Sequence, residues 1–170
     1  MYTPPDVALT ATLARAPRGT AGVFHTLRVM RGLIDEFKKT ADMIGAAVGI
    51  VFLVPEKDEL SEVRALFEFV RDSVRYTRDV NGVETVANPL ITLQRKVGDC
   101  DDKTTLFATL AEAVGYPTRL VMAGYFDSPD FEHVYCQVLT SDGWLDADTT
   151  EPYPLGFAPP APTRLFVESI

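Results

Sequence analysis

The hydropathy pattern changes period at Gly115 and Pro117, and this change restricts the fold more than any other feature of the 170 residues. Before it, apolar residues recur every three to four positions. Val23, Leu27, Met30, Leu33, Ile34 and Phe37 mark one helical face, opened by Thr20 as N-cap. Val63, Leu66, Phe67, Val70 and Val74 mark a second face after Ser61. Glu59 and Glu62 lie near its start, and Arg71, Arg75 and Arg78 toward and beyond its end, as the helix dipole prefers. Leu106, Leu110, Ala113 and Val114 mark a third, over 104–114. After the change, residues alternate. Segments 119–125, 133–139 and 144–148 read as short strands, and Ser141, Asp142 and Gly143 form a hairpin turn that makes the last two antiparallel neighbours. Helices first and strands later mean an α+β chain, with helices packed on a small antiparallel sheet. The stretch 41–54 is open to either a helix or a strand.

Residues 1–19 hold Pro4, Pro5 and Pro17 with few large apolar side chains, and read as an extended arm. A helical segment at 20–58 packs on a core at 59–155, and 156–170 is a proline-rich tail. The composition, 46% apolar and 24% charged, is that of an ordinary globular chain. The most apolar run, 43–54, is too short to span a bilayer and is broken by Gly45 and Gly49, so it reads as core in a soluble protein with no membrane partner. The first twenty residues lack the basic start and apolar run of a secretory leader. Charge is uneven: 1–50 hold six Lys/Arg against four Asp/Glu, while 51–170 hold ten against twenty. So acidic a body repels phosphate backbones, which excludes nucleic acid as a partner. Arg28, Arg31, Lys38 and Lys39 flank the first apolar face as a solvated rim.

Cys100 falls in the first turn of the 104–114 helix, where unpaired backbone N–H groups and the helix dipole favour a thiolate. It is a candidate nucleophile; the alternative is a small buried hydrophobe. A nucleophilic cysteine needs a base, and the base an orienting group. Of the two histidines, His25 lies in the first helix beside Phe24 and reads as structural, whereas His133 opens a strand directly after a loop. Alternation turns His133, Tyr135 and Gln137 to one side of the sheet and Val134, Cys136 and Val138 to the other, which sends Cys136 to the core. Asp146 and Asp148 share one face of the last strand. Alternation cannot choose between them; Asp148, at the strand end before a polar turn, is the better placed. Asp99, Asp101 and Asp102 oppose the dipole, since nearby carboxylates raise a thiol's pKa. Asp99 can cap the helix, and Asp102 or Lys103 can pair with Arg95 or Arg119. No calcium-loop spacing is present, and the two cysteines with one nearby histidine make a poor zinc set, so neither metal nor cofactor is expected.

Five ordered segments resemble the transglutaminase-like superfamily: Val70-Arg-Asp-Ser-Val-Arg-Tyr76, Gly98-Asp-Cys-Asp-Asp-Lys103, Gly115-Tyr-Pro-Thr-Arg119, Glu132-His-Val-Tyr135 and Gly143-Trp-Leu-Asp-Ala-Asp-Thr149. The resemblance implies a papain-like core with a Cys100, His133, Asp148 triad. It selects Asp148, four residues after Trp144, although Asp-Thr-Thr stands where the family has Asp-Pro-Thr. It also implies attack of a Cys100 thiolate on a peptide or isopeptide amide to give a thioester. The oxyanion donors would be the Cys100 N–H and Gln94, which lies six residues upstream as in papain-type enzymes. Arg75, Tyr76, Asp79, Gly82-Val-Glu84, Pro89 and the 154–160 segment further resemble members encoded by tailed phages and prophages. That likeness implies a setting in the bacterial cytoplasm or a virion. It makes a cell-wall (peptidoglycan) peptide a substrate, and phage structural proteins partners for the arm and first helix. The rival expectation is a structural or assembly protein that keeps the fold without the chemistry.

Overall fold

A computed structural model of the chain describes residues 20–55, 57–78, 85–125, 131–157 and 162–170. The expected arm at 1–19, the Asn81-Gly82 turn and the 127–130 loop lie outside them. Helix α1 (Thr20–Phe37) buries Leu27, Met30 and Ile34 and leaves Arg28 and Arg31 exposed, as its pattern requires. Helix α2 (Ala41–Val51) resolves the ambiguous stretch: the Thr40 hydroxyl accepts the Met43 N–H and starts a helix. The expectation that 43–54 is core holds for one face only. Met43 and Ala47 are buried, but Ile44, Val48, Phe52 and Leu53 are exposed, Phe52 by 83%. Helix α2 packs chiefly on α3 and α5.

Helix α3 (Glu59–Ser73) begins earlier than Ser61 because Asp58 accepts both the N–H and hydroxyl of Ser61, at 3.1 and 2.7 Å. Its end passes into strand β1 (Arg75–Tyr76). A short helix, α4 (Pro89–Arg95), follows, with Asn88 as cap and Pro89 in the first turn. Seven residues hold too little periodicity to announce it. Left-handed Lys96 ends it and leads to β2 (Val97–Gly98), which pairs in parallel with β1.

Helix α5 (Cys100–Ala113) is the centre of the molecule. Asp101 to Ala111 are all buried, with α1 to α4 around the helix and the sheet on its remaining side. Leu106, Phe107 and Leu110 meet Val63, Leu66, Phe67 and Val70 of α3, and the rings of Phe67 and Phe107 pack edge to face 6.3 Å apart.

The sheet order is β5-β4-β3-β6, antiparallel throughout: β3 (Thr118–Gly124), β4 (His133–Thr140), β5 (Gly143–Ala147) and β6 (Arg164–Ser169). Alternation sorts its faces as expected. Val134, Cys136 and Val138 join the core under α5, with Cys136 wholly buried, while Tyr135 joins Val121 and Ala123 on the opposite face. Strand β6 occupies the end of the segment read as a proline-rich tail and pairs with β3 from Arg119↔Ser169 to Gly124↔Arg164. Its consecutive apolar Leu165, Phe166 and Val167 break the alternation that marks a half-buried strand. Among the described residues no helix is long and apolar enough to cross a membrane.

At Gly98 the backbone lies close against the side chain of Asp102. A Cβ there would stand 2.6 Å from Asp102 Cβ. Gly98→Ala is expected to destabilise the chain by about 1–3 kcal/mol, the usual range for forced overpacking, read as a lower denaturant midpoint at unchanged slope.

Candidate active site

The first turn of α5 is tied down from three directions. Asp99 accepts the Asp102 N–H at 3.1 Å while Asp102 Oδ2 accepts the Asp99 N–H at 3.4 Å, a capping box. Asp102 Oδ1 also accepts the Ala87 N–H at 2.7 Å, which anchors the approach to α4. Lys103 Nζ donates to the carbonyls of Val74 at 2.6 Å and Arg71 at 3.1 Å, closing the end of α3. The expectation that Lys103 pairs with Arg95 or Arg119 is thereby corrected: two cations repel, the ammonium takes carbonyls as partners, and Arg119 goes instead to Gln137 and the Trp144 ring. A buried ammonium held by neutral oxygens is poorly solvated. Burial lowers the Lys103 pKa to about 8, against the opposing pull of the Asp72 and Asp148 charges.

This turn places Cys100 at the first helical position beside the start of β4, where the Thr104 hydroxyl donates to the Val134 carbonyl at 3.2 Å. The Cys100 thiol donates to Asp101 Oδ1 at 3.6 Å. Burial, then the charges of Asp101 and Asp99, push the thiol well above the ordinary range; a hydrogen bond from the Val134 N–H pulls the other way and is outweighed. The thiolate-favouring helix start anticipated from the sequence is therefore overridden in this resting arrangement, because desolvation and two carboxylates exceed the dipole's roughly 0.3–1 kcal/mol. Tyr76 of β1, to which sequence pattern assigns no chemical role, lies close enough for the charges of Cys100 and Asp99 to add to burial in raising its phenol.

His133 and Asp148 meet directly. Nε2 and Oδ2 are 2.7 Å apart, with the His133 side chain 16% exposed and that of Asp148 3%. Asp148 Oδ1 accepts the N–H of Thr150 at 3.0 Å and its hydroxyl at 2.6 Å, an Asx turn that the polar Asp-Thr-Thr run encodes locally. Burial acts to raise the Asp148 pKa, but the hydrogen bond and charge of His133 and the two Thr150 contacts outweigh it and hold the carboxyl below its usual range. An ionised carboxylate only accepts, so the proton between the pair sits on Nε2, and Nδ1 is the ring nitrogen left outside the pair. Among the described residues no protein group bonds Nδ1.

The two aspartates that alternation could not separate have different partners: Asp148 takes His133, while Asp146 takes Gln137 Nε2 at 2.7 Å. Gln94 stands exposed on α4, its side chain without a hydrogen bond among the described residues. Cys100 and the His133–Asp148 pair thus lie at neighbouring ends of α5 and β4, the thiol bonded to Asp101 and the imidazole to Asp148. Among the described residues no three His, Cys, Asp or Glu side chains gather as a metal site.

The sequence profile of the transglutaminase-like superfamily matches residues 47–149, a span that includes Cys100, His133 and Asp148. The chain belongs to the transglutaminase-like superfamily. Among solved structures it is similar to a supposed cysteine protease of Cytophaga hutchinsonii, at TM-score 0.54 and 17% identity over 79% of this chain and 52% of that one. It is similar also to a supposed protease of Parabacteroides distasonis, at TM-score 0.61 and 10% identity over 85% of this chain and 32% of the other. A third likeness, at TM-score 0.53 and 13% identity, is to a Rad4/XPC nucleotide excision repair complex, covering 86% of this chain and 46% of that one. The chain thus spans about half or less of the solved proteins it matches, and identities this low speak for a shared fold alone. Comparison with curated proteins finds no match.

Lys103 titrates between a folded pKa of about 8 and an ordinary 10.5. In that window the unfolded chain holds a proton that the folded chain has lost, so this group makes stability rise with pH. The stability of the native chain relative to Lys103→Met is expected to increase from pH 8 to pH 10, measured by urea unfolding at each pH.

Proposed function

We propose that the chain is a cysteine-dependent acyl-transfer or hydrolytic enzyme acting on a peptide or isopeptide amide, with Cys100 as nucleophile, His133 as base and Asp148 as orienter. The observation that carries this reading is the buried 2.7 Å contact of His133 Nε2 with Asp148, which leaves Nδ1 for the thiol, on a strand whose next residue, Val134, is hydrogen-bonded to Thr104 of the helix that Cys100 begins. Rotation of the thiol from Asp101 toward Nδ1 passes its proton to His133. The sulfur then attacks the amide carbonyl carbon to form a tetrahedral intermediate, whose oxyanion is met by the Cys100 N–H, with Gln94 as second donor. The C–N bond breaks as His133 returns the proton to the leaving amine. Water or an amine attacks the thioester carbonyl while His133 takes its proton; the C–S bond then breaks and His133 passes that proton to the departing sulfur, giving the hydrolysis or transamidation product and restoring the thiol. Throughout, Asp148 stabilises the imidazolium without being protonated.

The resemblance to phage-encoded members extends this reading to a virion component, or an enzyme of the infected bacterial cytoplasm, acting on a peptidoglycan peptide. A second reading, that of a virion or tail assembly protein keeping the fold without the chemistry, is favoured by one specific observation: the thiol is hydrogen-bonded to Asp101 and pushed toward its neutral form. Arg28, exposed on α1, and the arm before it would then serve docking to phage structural proteins.

Iodoacetamide decides between the two. The enzyme reading expects alkylation at Cys100 that Cys100→Ala abolishes and His133→Ala slows by about 10²–10⁴, the usual share of a general base. Gln94→Ala should leave alkylation unchanged and slow amide turnover by about 10²–10³. An inert Cys100 in the folded chain leaves the assembly reading. Removing the Asp101 charge should relieve the raised thiol, so Asp101→Asn is expected to speed alkylation at pH 7 and shift its pH profile to lower pH.

A further inference from the structure

On the face of the sheet turned away from α5, side chains are linked across three strands. Arg119 of β3 donates from Nε to Gln137 Oε1 at 2.6 Å, and its guanidinium lies 4.2 Å over the Trp144 ring. Gln137 Nε2 donates to Asp146 Oδ1 at 2.7 Å. Asp146 also lies near the Tyr135 phenol, which burial and then the Asp146 charge push upward, so the phenol keeps its proton. Tyr135 is 3% exposed, packed with Val121 and Ala123. Its ring stacks with that of His133, the centroids 6.1 Å apart and the planes 23° from parallel.

A single hydrogen bond holds one point of a ring. Asp148 fixes His133 Nε2, yet the imidazole can still roll about that contact and swing Nδ1 away from the nucleophile. A second, flat constraint removes the roll. We infer that Tyr135, packed flat against the ring with Asp146 near its phenol, is a positioning residue that sets the plane of the His133 imidazole and so the direction in which Nδ1 faces. The two aspartates of β5 and its end then steady the imidazole by different routes, Asp148 through the ring's own nitrogen and Asp146 through the ring's neighbour. The inference rests on the enzyme reading for its chemical consequence. Its structural content stands apart and can be read by itself.

The test uses the full chain carrying Cys100→Ala, with long-range 1H–15N spectra of the His133 ring nitrogens. With Tyr135 in place the ring is expected as one Nε2–H tautomer. Tyr135→Leu should convert it to a mixture or broaden it, Tyr135→Phe should restore most of the signature, and Asp146→Asn should give a partial change. In a Tyr135→Phe background Asp146→Asn should add nothing, because the link through the phenol is already cut. An unchanged His133 signature in Tyr135→Leu overturns the proposal, as does strict additivity of Asp146→Asn and Tyr135→Phe. If Tyr135→Leu does not fold, the Phe and Asn variants carry the same comparison. With Cys100 restored, Tyr135→Leu should slow alkylation at pH 7 by about tenfold, a fraction of the 10²–10⁴ a general base supplies, and Tyr135→Phe should recover it. An inert Cys100 in the otherwise native chain would overturn the enzyme reading, while the nitrogen spectra would still decide the role of Tyr135.

Discussion

A helix whose first turn is buried must find partners for its free N–H groups inside the protein, since water cannot supply them. That constraint governs the start of α5. Each such group left unsatisfied would cost about 1–3 kcal/mol. Asp99 and Asp102 answer each other's backbone, and the second oxygen of Asp102 reaches the Ala87 N–H. Lys103 faces the complementary problem at the end of α3, whose last carbonyls also lie inside, and its ammonium closes them. One turn of helix thereby joins segments that are distant in sequence. The parallel pairing of β1 with β2 follows from it, because Gly98 can lie against Asp102 only if the backbone there carries no side chain.

Burial also sets the character of the site. It acts first, with the charges of Asp101 and of the capping Asp99, so the position that a bare helix end would make acidic becomes one where the thiol is kept. Charge of the opposite tendency sits on the sheet. His133 and Asp148 form a close, buried pair that keeps the carboxyl ionised, and Thr150 completes its shell. The thiol and the imidazole therefore each have a carboxylate partner, Asp101 and Asp148. The chemistry proposed for this site depends on the thiol exchanging one for the imidazole.

Much of the architecture was legible because the core imposes its period on the chain. The face of Val63, Leu66, Phe67 and Val70, and the separation of Cys136 from His133, follow from 3.6-residue and two-residue repeats that no tertiary detail alters. What escaped was short or interrupted. Helix α4 is too brief to show a period, and β6 carries three apolar residues in succession because it lies at the sheet edge, with α1 near one face. The apolar run of α2 overstated its burial, since composition reports how hydrophobic a segment is and not how many neighbours surround it.

The candidate site divides along the same line. Sequence by itself determined that Cys100 begins a helix, that His133 begins a strand, that Asp146 and Asp148 share a face, and that Asp148 is followed by hydroxyls able to cap it, because capping and alternation act over a few residues. Only the tertiary structure decided that His133 takes Asp148 while Asp146 serves Gln137, that Lys103 spends its charge on carbonyls, and that the thiol rests on Asp101. Those choices depend on which groups burial brings within about 3–4 Å of one another in a medium where unpaired polar atoms are costly. Distance of that kind is set by packing of the whole chain and is written in no local stretch of it.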